Sequence, residues 1–482
     1  MRVSLIIPPS VFLMDERVFM TLGILRVAAV LERAGHKVEM LDLSGIENYA
    51  EVAQEHARTT ESEAFGITAT TPQLPAAIDV GAAIRKERPN ARIILGGPHV
   101  TLVNAARKRE KEPGRAAKAY AKLLDHFDVL VAGDGEDAIF EALKGGNRLV
   151  DADDPKSLMF LTSQRLSELP MPARHLIDVD SYNYEIDGVR AISTVFQLGC
   201  PYMCGFCGGR NSPSLRRVRM RSADSIISEL EYLYKVYGFR GFMAYDDELN
   251  VNPGMIALMN AIEAKAHELK TTWKLRGFIK AELFTDKQAE AMYRAGFRWI
   301  LTGFESGSPR ILKNIQKKAS RDENTRCIEI AHKHGLKVKA LMSLGHPGES
   351  AATVADTLGW LLWARPDDLD VTVITPYPGT PYYDEAREEN GVWVYEIHGD
   401  TLYSEEVDYT KVADYYKGDP HDGYVSHVWT EGLSKRKLVE MRDAVEKAAR
   451  DTLKIPFYRS VAAQRYEHSM GQLPPKILRV SA

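Results

Sequence analysis

The chain is poor in cysteine and has no long apolar run. Only four of its 482 residues are cysteine, too few for a disulfide framework. The most apolar helical stretch, Met20 to Ala34, is interrupted by Arg26, Glu32 and Arg33, so it reads as a core helix and not as a bilayer span. No signal-peptide pattern is expected at the start of the chain, and the cytoplasm, where thiols stay reduced, is the expected compartment. Net charge is also small. Sixty-two Lys and Arg against 66 Asp and Glu leave −4, which gives no field to draw in nucleic acid or an anionic membrane. The loop after the first predicted strand, Pro8-Pro9-Ser10, has no glycine, which argues against a dinucleotide-binding Gly-x-Gly-x-x-Gly turn. What remains is ordinary for a soluble protein: 45% hydrophobic and 27% charged residues, in a chain long enough for two or three domains.

The few cysteines are not scattered. Cys200, Cys204 and Cys207 share the loop Gly199-Cys200-Pro201-Tyr202-Met203-Cys204-Gly205-Phe206-Cys207-Gly208, and such tight spacing lets one loop bring several thiolates to one metal centre. A complete cubane or a closed zinc site takes four ligands, so three suggest a cluster with one iron left open. A zinc knuckle with a distant fourth ligand is the bland alternative. Cys327 lies in a helical pattern and reads as a small core hydrophobe.

Four regions follow from composition and periodicity. Residues 1–147 alternate strand-like runs (Val3–Ile7, Lys37–Leu43, Phe65–Thr68, Arg92–Leu95, Asp128–Val131) with helices, which predicts a doubly wound parallel sheet with its ligand at the strands' carboxyl ends. Leu102 to Leu124 reads as a charged helical insertion. Residues 148–190 are polar and proline-rich, a linker. Residues 191–383 hold six strand–helix repeats, with strands at Ala191–Leu198, Arg240–Tyr245, Thr272–Phe278, Arg298–Phe304, Lys337–Ser343 and Leu369–Ile374. That pattern predicts an open parallel (β/α)6 barrel with working residues at its carboxyl-end mouth. Residues 384–482 are rich in tyrosine and tryptophan, Tyr415 and Tyr416 among them. They are expected to form a mostly helical cap with an amphipathic helix over Ser434 to Leu453.

The cysteine loop, with Phe206 before its last cysteine, resembles the radical S-adenosylmethionine (SAM) superfamily. In that family three such cysteines hold a 4Fe–4S cluster, SAM chelates the fourth iron, and an electron from the cluster cleaves SAM to a deoxyadenosyl radical. Leu22 to Val38, Gly96-Gly97-Pro98-His99 and Gly133-Asp134-Gly135-Glu136 look like the cobalamin-binding domain that precedes many such barrels. The resemblance implies cluster ligands Cys200, Cys204 and Cys207. It implies SAM contacts at Phe206, Gly208, Asp246, Asp247, Arg276, Glu305 and Ser306. It implies cobalamin contacts at Pro9, Ser10, Thr68, Thr70, Gly96, Gly97, Pro98, His99, Gly133, Gly135 and Glu136. His346 and Tyr377 are candidates to face substrate. One departure stands out: Asp15-Glu16-Arg17 follows the first strand where many cobalamin proteins carry Asp-x-His-x-x-Gly, whose histidine ligates cobalt. The resemblance implies a radical SAM enzyme, methylating an unactivated carbon of a small, natural-product-like molecule with cobalamin. It would draw electrons from a flavodoxin or ferredoxin. The alternative is a cobalamin-independent dehydratase, epimerase or rearrangement enzyme acting on a sugar or other small molecule.

Overall fold

In the computed structural model, residues 1–10, 16–413 and 424–456 are described; Asp15, Tyr415 and Tyr416 lie outside them. The N-terminal domain is built on strands β1 (Arg2–Ile7), β2 (Lys37–Asp42), β3 (Ala64–Thr68), β4 (Arg92–Gly96), β5 (Val129–Gly133) and β6 (Leu149–Ala152). They form one parallel sheet in the order β2-β1-β3-β4-β5-β6. Helices α1 (Leu22–Arg33), α2 (Tyr49–Thr59), α3 (Leu74–Glu87), α4 (Pro98–Arg109), α5 (Arg115–His126) and α6 (Gly135–Lys144) cover its two faces. The central strands are apolar almost throughout, as a sheet buried on both sides requires; Val3, Leu5, Ile67 and Leu130 are all fully or nearly fully buried.

Two details differ from the sequence reading. The sheet takes a sixth strand from the first residues of the expected linker, with Leu130 in register with Leu149. The charged insertion is two helices, α4 and α5, because the chain breaks at Glu110 to Gly114. The Glu110 carboxylate accepts from the N–H groups of Gly114, Ala116 and Ala117, capping the second helix.

Helix α7 (Ser163–Glu168) lies in the linker, and the chain then enters the barrel sheet. Its strands are β7 (Glu185–Ile186), β8 (Val189–Thr194), β11 (Gly241–Ala244), β12 (Lys274–Phe278), β13 (Phe297–Glu305), β14 (Lys337–Leu344) and β15 (Asp368–Val373). A short antiparallel ribbon, β9 (Gln197–Leu198) with β10 (Arg219–Met220), stands apart from them. The order is β15-β14-β13-β12-β11-β8-β7, parallel except for the β7–β8 hairpin, so six parallel strands curl into the expected open barrel. Helices α8 (Pro213–Arg216), α9 (Ala223–Tyr237), α10 (Met255–Glu268), α11 (Asp286–Ala295), α12 (Pro309–Asn314), α13 (Arg321–Lys333) and α14 (Ala351–Ala364) follow the strands. Ile192, Phe242, Leu275, Ile300, Val338 and Leu369 belong to the main core together with residues of the surrounding helices.

The C-terminal region is less helical than expected. After α15 (Pro381–Asp384) it forms an antiparallel sheet of β16 (Arg387–Glu389), β17 (Val392–Ile397), β18 (Asp400–Ser404) and β19 (Val428–Thr430), followed by α16 (Lys435–Leu453). The turn signals were present in the sequence. Asn390-Gly391 and His398-Gly399 all have positive φ, 54° and 81°, then 52° and 83°, the conformation that two-residue hairpin turns demand. Helix α16 begins where predicted, with the Ser434 side chain accepting from the Lys437 N–H.

Candidate functional site

The cysteine loop hangs from the β9–β10 ribbon. Gly199 has φ 88°, and a Cβ on it would meet the Arg217 carbonyl at 2.3 Å, so only glycine turns the chain into the loop here. The Gly199 N–H donates to Asp247 at 3.0 Å, the Cys200 N–H to the Leu215 carbonyl at 3.0 Å, and the Gly205 N–H to the Ile315 carbonyl at 2.8 Å. The loop is therefore pinned at its entry, its middle and its far side. Cys200 and Cys204 are half-buried and Cys207 is exposed, while Cys327 is buried in the core on α13. Burial pushes the Cys200 thiol up to about 12, and Cys204 upward as well, so thiolates here call for a cationic partner. Among the described residues no three His, Cys, Asp or Glu side chains converge as they would on a single metal ion. A cubane takes each cysteine on a different iron and needs no such convergence, so the donor set fits a cluster with one iron free of protein.

The acidic run after β11 divides into three roles. Asp246 is 3% exposed and accepts from the Phe196 N–H at 2.7 Å. It ties two strand ends together through that oxygen, while its buried Oδ2 has no partner. Burial pushes its carboxyl up to about 7 against those backbone bonds. Asp247 is exposed and touches the entry of the cysteine loop. Glu248, which the sequence reading passed over, has a buried Oε2 with no partner. Burial pushes it to about 7 in spite of the nearby Lys317 and Lys280.

Glu305 anchors a second group. Strand β13 bulges between Gly303 and Glu305, and Glu305 takes φ 65°, a left-handed conformation costly for a residue with a side chain. Its carboxylate meets Lys317 Nζ at 2.9 Å and accepts from Ser343 Oγ at 2.8 Å. Lys317 itself sits between Gln316 at φ 55° and Lys318 at φ 58°. Burial favours a neutral Glu305, but Lys317 beside it holds the carboxyl below its ordinary value. From Ser343 the chain of bonds runs to His346 Nε2 at 2.8 Å, and from His346 Nδ1 to the Tyr382 hydroxyl at 3.2 Å. Tyr382 packs against Gly205, where a Cβ would stand 3.0 Å from its ring.

This network corrects several expectations. His346 is fully buried, burial pushes its pKa down to about 4, and it braces the loop from beneath instead of facing substrate. Ser306 is buried and bonded to Thr357 at 3.0 Å, because the bulge turns it away from the mouth. Arg276 is 1% exposed, in register with Met243 and Trp299 inside the barrel, its guanidinium 5.6 Å from the Trp299 ring centroid. It lies on β12 inside the half-barrel. Phe206 packs edge-on against His346 at 5.3 Å. Gly208 lies between Tyr377 and Leu102 of α4, so a Cβ there would meet them at 2.8 and 3.1 Å.

Between the two domains lies a cavity of about 400 Å³. On the N-terminal side Thr68, Thr70, Gly96, Gly97, Pro98, Gly133, Gly135 and Glu136 line it; on the barrel side Gln197, Gly199, Tyr245 and Asp247 do. Gly97 at φ 97° and Gly133 at φ 84° let the turns stay low, since a Cβ would strike Thr68 or the Ala152–Asp153 backbone. Three expected residues do not line it. Pro9 is buried, and the Ser10 N–H is tied to Glu16 at 2.6 Å. The His99 ring bonds Thr71 at 3.0 Å and opens on a second cavity beside Tyr409 and Arg115; burial pushes its pKa down to about 4.

Comparison with known proteins sets the class. Residues 16–143 match the B12-binding domain model, and residues 194–361 match that of the radical SAM superfamily. The chain is a radical SAM enzyme with a B12-binding domain ahead of its barrel, and its cofactors are a 4Fe–4S cluster, SAM and cobalamin. It is 28% identical over 413 residues to an uncharacterized methyltransferase of Pyrococcus horikoshii, covering 81% of this chain and 84% of that one. It is 25% identical over 360 residues to the anaerobic magnesium-protoporphyrin IX monomethyl ester cyclase of Cereibacter sphaeroides, covering 71% and 56%. Its fold is like that of the radical SAM methyltransferase TsrM from Kitasatospora setae, solved with tryptophan substrate and a SAM analog. There the TM-score is 0.63, at 18% identity, over 83% of this chain and 79% of that one.

Proposed function

We propose that this enzyme transfers a methyl group to an unactivated carbon of a small, natural-product-like molecule. One observation carries the reading: a single cavity is walled on one side by the loops of the B12-binding domain and on the other by Gly199 and Asp247, which flank the cluster loop. Methyl donor and radical source would thus open on a common space, as transfer between them requires. When bound, the cofactors supply an electron, a deoxyadenosyl radical to remove hydrogen, and a cobalt-borne methyl group.

The protein's part is to bind, place and shield. Cys200, Cys204 and Cys207 would hold the cluster. Glu248, a carboxylate without a partner beside the loop, would take the SAM ammonium group. Asp247, the Glu305–Lys317 pair and the Lys280–Glu282 pair are further charged groups around that loop. Phe206 and Gly208 shape the wall behind them. Thr68, Thr70, Gly96, Gly97, Pro98, Gly133, Gly135 and Glu136 would receive cobalamin. Tyr377 beside Gly208 stands near enough to the loop to border the substrate space. A flavodoxin- or ferredoxin-like donor would supply electrons, in the cytoplasm.

The test is anaerobic cluster reconstitution, then SAM and reductant, with nucleosides read by mass spectrometry. Deoxyadenosine together with S-adenosylhomocysteine, both dependent on added cobalamin, is the expected result. A second reading is favoured by the cyclase relative, whose name describes ring closure and not methyl transfer, and by the absence of histidine from the cavity lining among the described residues. It predicts deoxyadenosine alone, with no effect of cobalamin depletion.

A further inference from the structure

We propose that Arg26 is the anion-binding residue of the interdomain cavity and takes the phosphodiester of cobalamin's nucleotide arm. The inference rests on the cobalamin reading above and assigns it a residue that the sequence did not suggest.

Arg26 lies on α1, is 6% exposed, and lines the cavity. Among the described residues no hydrogen bond or ion pair reaches its guanidinium. Its charged neighbours do not supply one. Arg221 and Arg174 repel it and Glu136 and Glu229 attract it, but Glu229 is already held by Arg174 at 2.8 Å and Arg221 at 2.5 Å. Asp134 is paired with Arg219. Glu136 lines the same cavity, also 6% exposed, and makes no ion pair with Arg26. Of the charged groups that line the cavity, Asp134 and Arg219 pair with each other, Asp247 accepts from the Gly199 N–H, and Arg26 and Glu136 make no ion pair among the described residues.

The same space meets the positive end of α6, a ten-residue helix whose first residues Gly135 and Glu136 both line it. Burial, then Asp134, pushes the Glu136 carboxyl up, and Arg26 opposes that shift. The side chains of the corrin ring are neutral amides. The phosphodiester of the nucleotide arm is the anionic group cobalamin carries, and a guanidinium matches it with two parallel N–H donors.

The test titrates full-length, cluster-reconstituted protein with three corrinoids: cobalamin, cobinamide, which lacks the whole nucleotide, and cobinamide phosphate, which keeps a phosphate but lacks ribose and base. Arg26→Gln should weaken cobalamin and cobinamide phosphate by about tenfold or more. Cobinamide should bind unchanged, which also shows that the variant is folded, and Arg26→Lys should fall in between. Equal weakening of all three ligands, or no change in cobalamin affinity, overturns the assignment. If wild type binds cobalamin no better than buffer, the cobalamin reading falls and this proposal with it.

Discussion

Replacing Glu229 by glutamine should destabilise the protein more than any other single carboxylate change at the domain boundary. Glu229, on α9 of the barrel, is 1% exposed. It is the anion between Arg174 of the linker at 2.8 Å and Arg221 at 2.5 Å, with Arg26 of the N-terminal domain close by. Glutamine keeps the shape and leaves those buried cations facing one another. Breaking a buried pair from one side costs about 3–5 kcal/mol. An independent route gives the same scale. Burial alone would raise the Glu229 carboxyl, but Arg174, Arg221 and Arg26 hold it at about 2 instead of 4.5, a difference worth about 3 kcal/mol at neutral pH. For a domain of this size that loss lowers the melting midpoint by about 6–12 °C. The sign of the pH dependence follows from a depressed carboxyl. The contribution is complete above the unfolded value near 4.5 and is lost as pH falls through about 2. Thermal melts by circular dichroism, wild type beside Glu229→Gln, should differ most above pH 4.5 and converge towards pH 2. A shift under about 2 °C at pH 7, or a gap independent of pH, would refute the argument that this carboxylate holds the boundary.

Three further outcomes are expected. Alanine at Cys200, Cys204 or Cys207 should abolish iron–sulfur absorbance after reconstitution, whereas Cys327→Ala should keep it and cost only about 1–2 kcal/mol in a melt. Glu248→Gln should raise the SAM concentration needed for half-maximal deoxyadenosine formation by about tenfold or more, with iron content unchanged; an equal loss of iron would mean a structural role. Gly97→Ala, at φ 97° with its Cβ 2.6 Å from Thr68 and 2.8 Å from Ala69, should destabilise the N-terminal domain by about 1–3 kcal/mol or more and lower corrinoid uptake.

The alternation of strands and helices was legible because parallel strands covered on both faces are apolar almost throughout, and their helices carry plain ends. The cysteine loop was legible because its information is entirely local. What failed to read were side-chain directions at strand ends. Asp246, Asp247 and Glu248 are indistinguishable in sequence. Because β11 ends at Ala244, Asp246 turns one oxygen back to the Phe196 N–H, while its Oδ2 and the Glu248 Oε2 are left buried without a partner. Ser306 was lost to a bulge that nothing in Gly303-Phe304-Glu305 announces. The depth of Arg276 along β12 is a matter of register. His99 sits in a glycine–proline turn that does border the cavity, yet its ring follows α4 to the other side, towards Thr71. The hairpins of the tail were there to be read in Asn390-Gly391, but the aromatic content drew attention to packing instead.

Past β1, Arg17, Val18 and Phe19 dock the N-terminal domain on the barrel. Arg17 is fixed by Asp42 at 2.9 Å, the Ser44 carbonyl at 2.8 Å and Ser181 at 2.9 Å. Val18 then enters the half-barrel and packs with Tyr184, Ala191, Met243 and Leu301. Phe19 stacks on Tyr245 at 5.1 Å, and Tyr245 lines the cavity. Two more ties run from the N-terminal domain to the segment between the cysteines and β10. Asp134, inside the cavity loop, pairs with Arg219 of β10, and buried Asp153 accepts from Ser212 at 2.7 Å and Ser214 at 2.6 Å. Because β10 is paired to β9, and β9 leads directly into Cys200, a displacement of the Asp134 loop reaches the cluster loop through a few bonded residues. The cavity wall and the cluster loop are therefore joined through a short run of bonded residues.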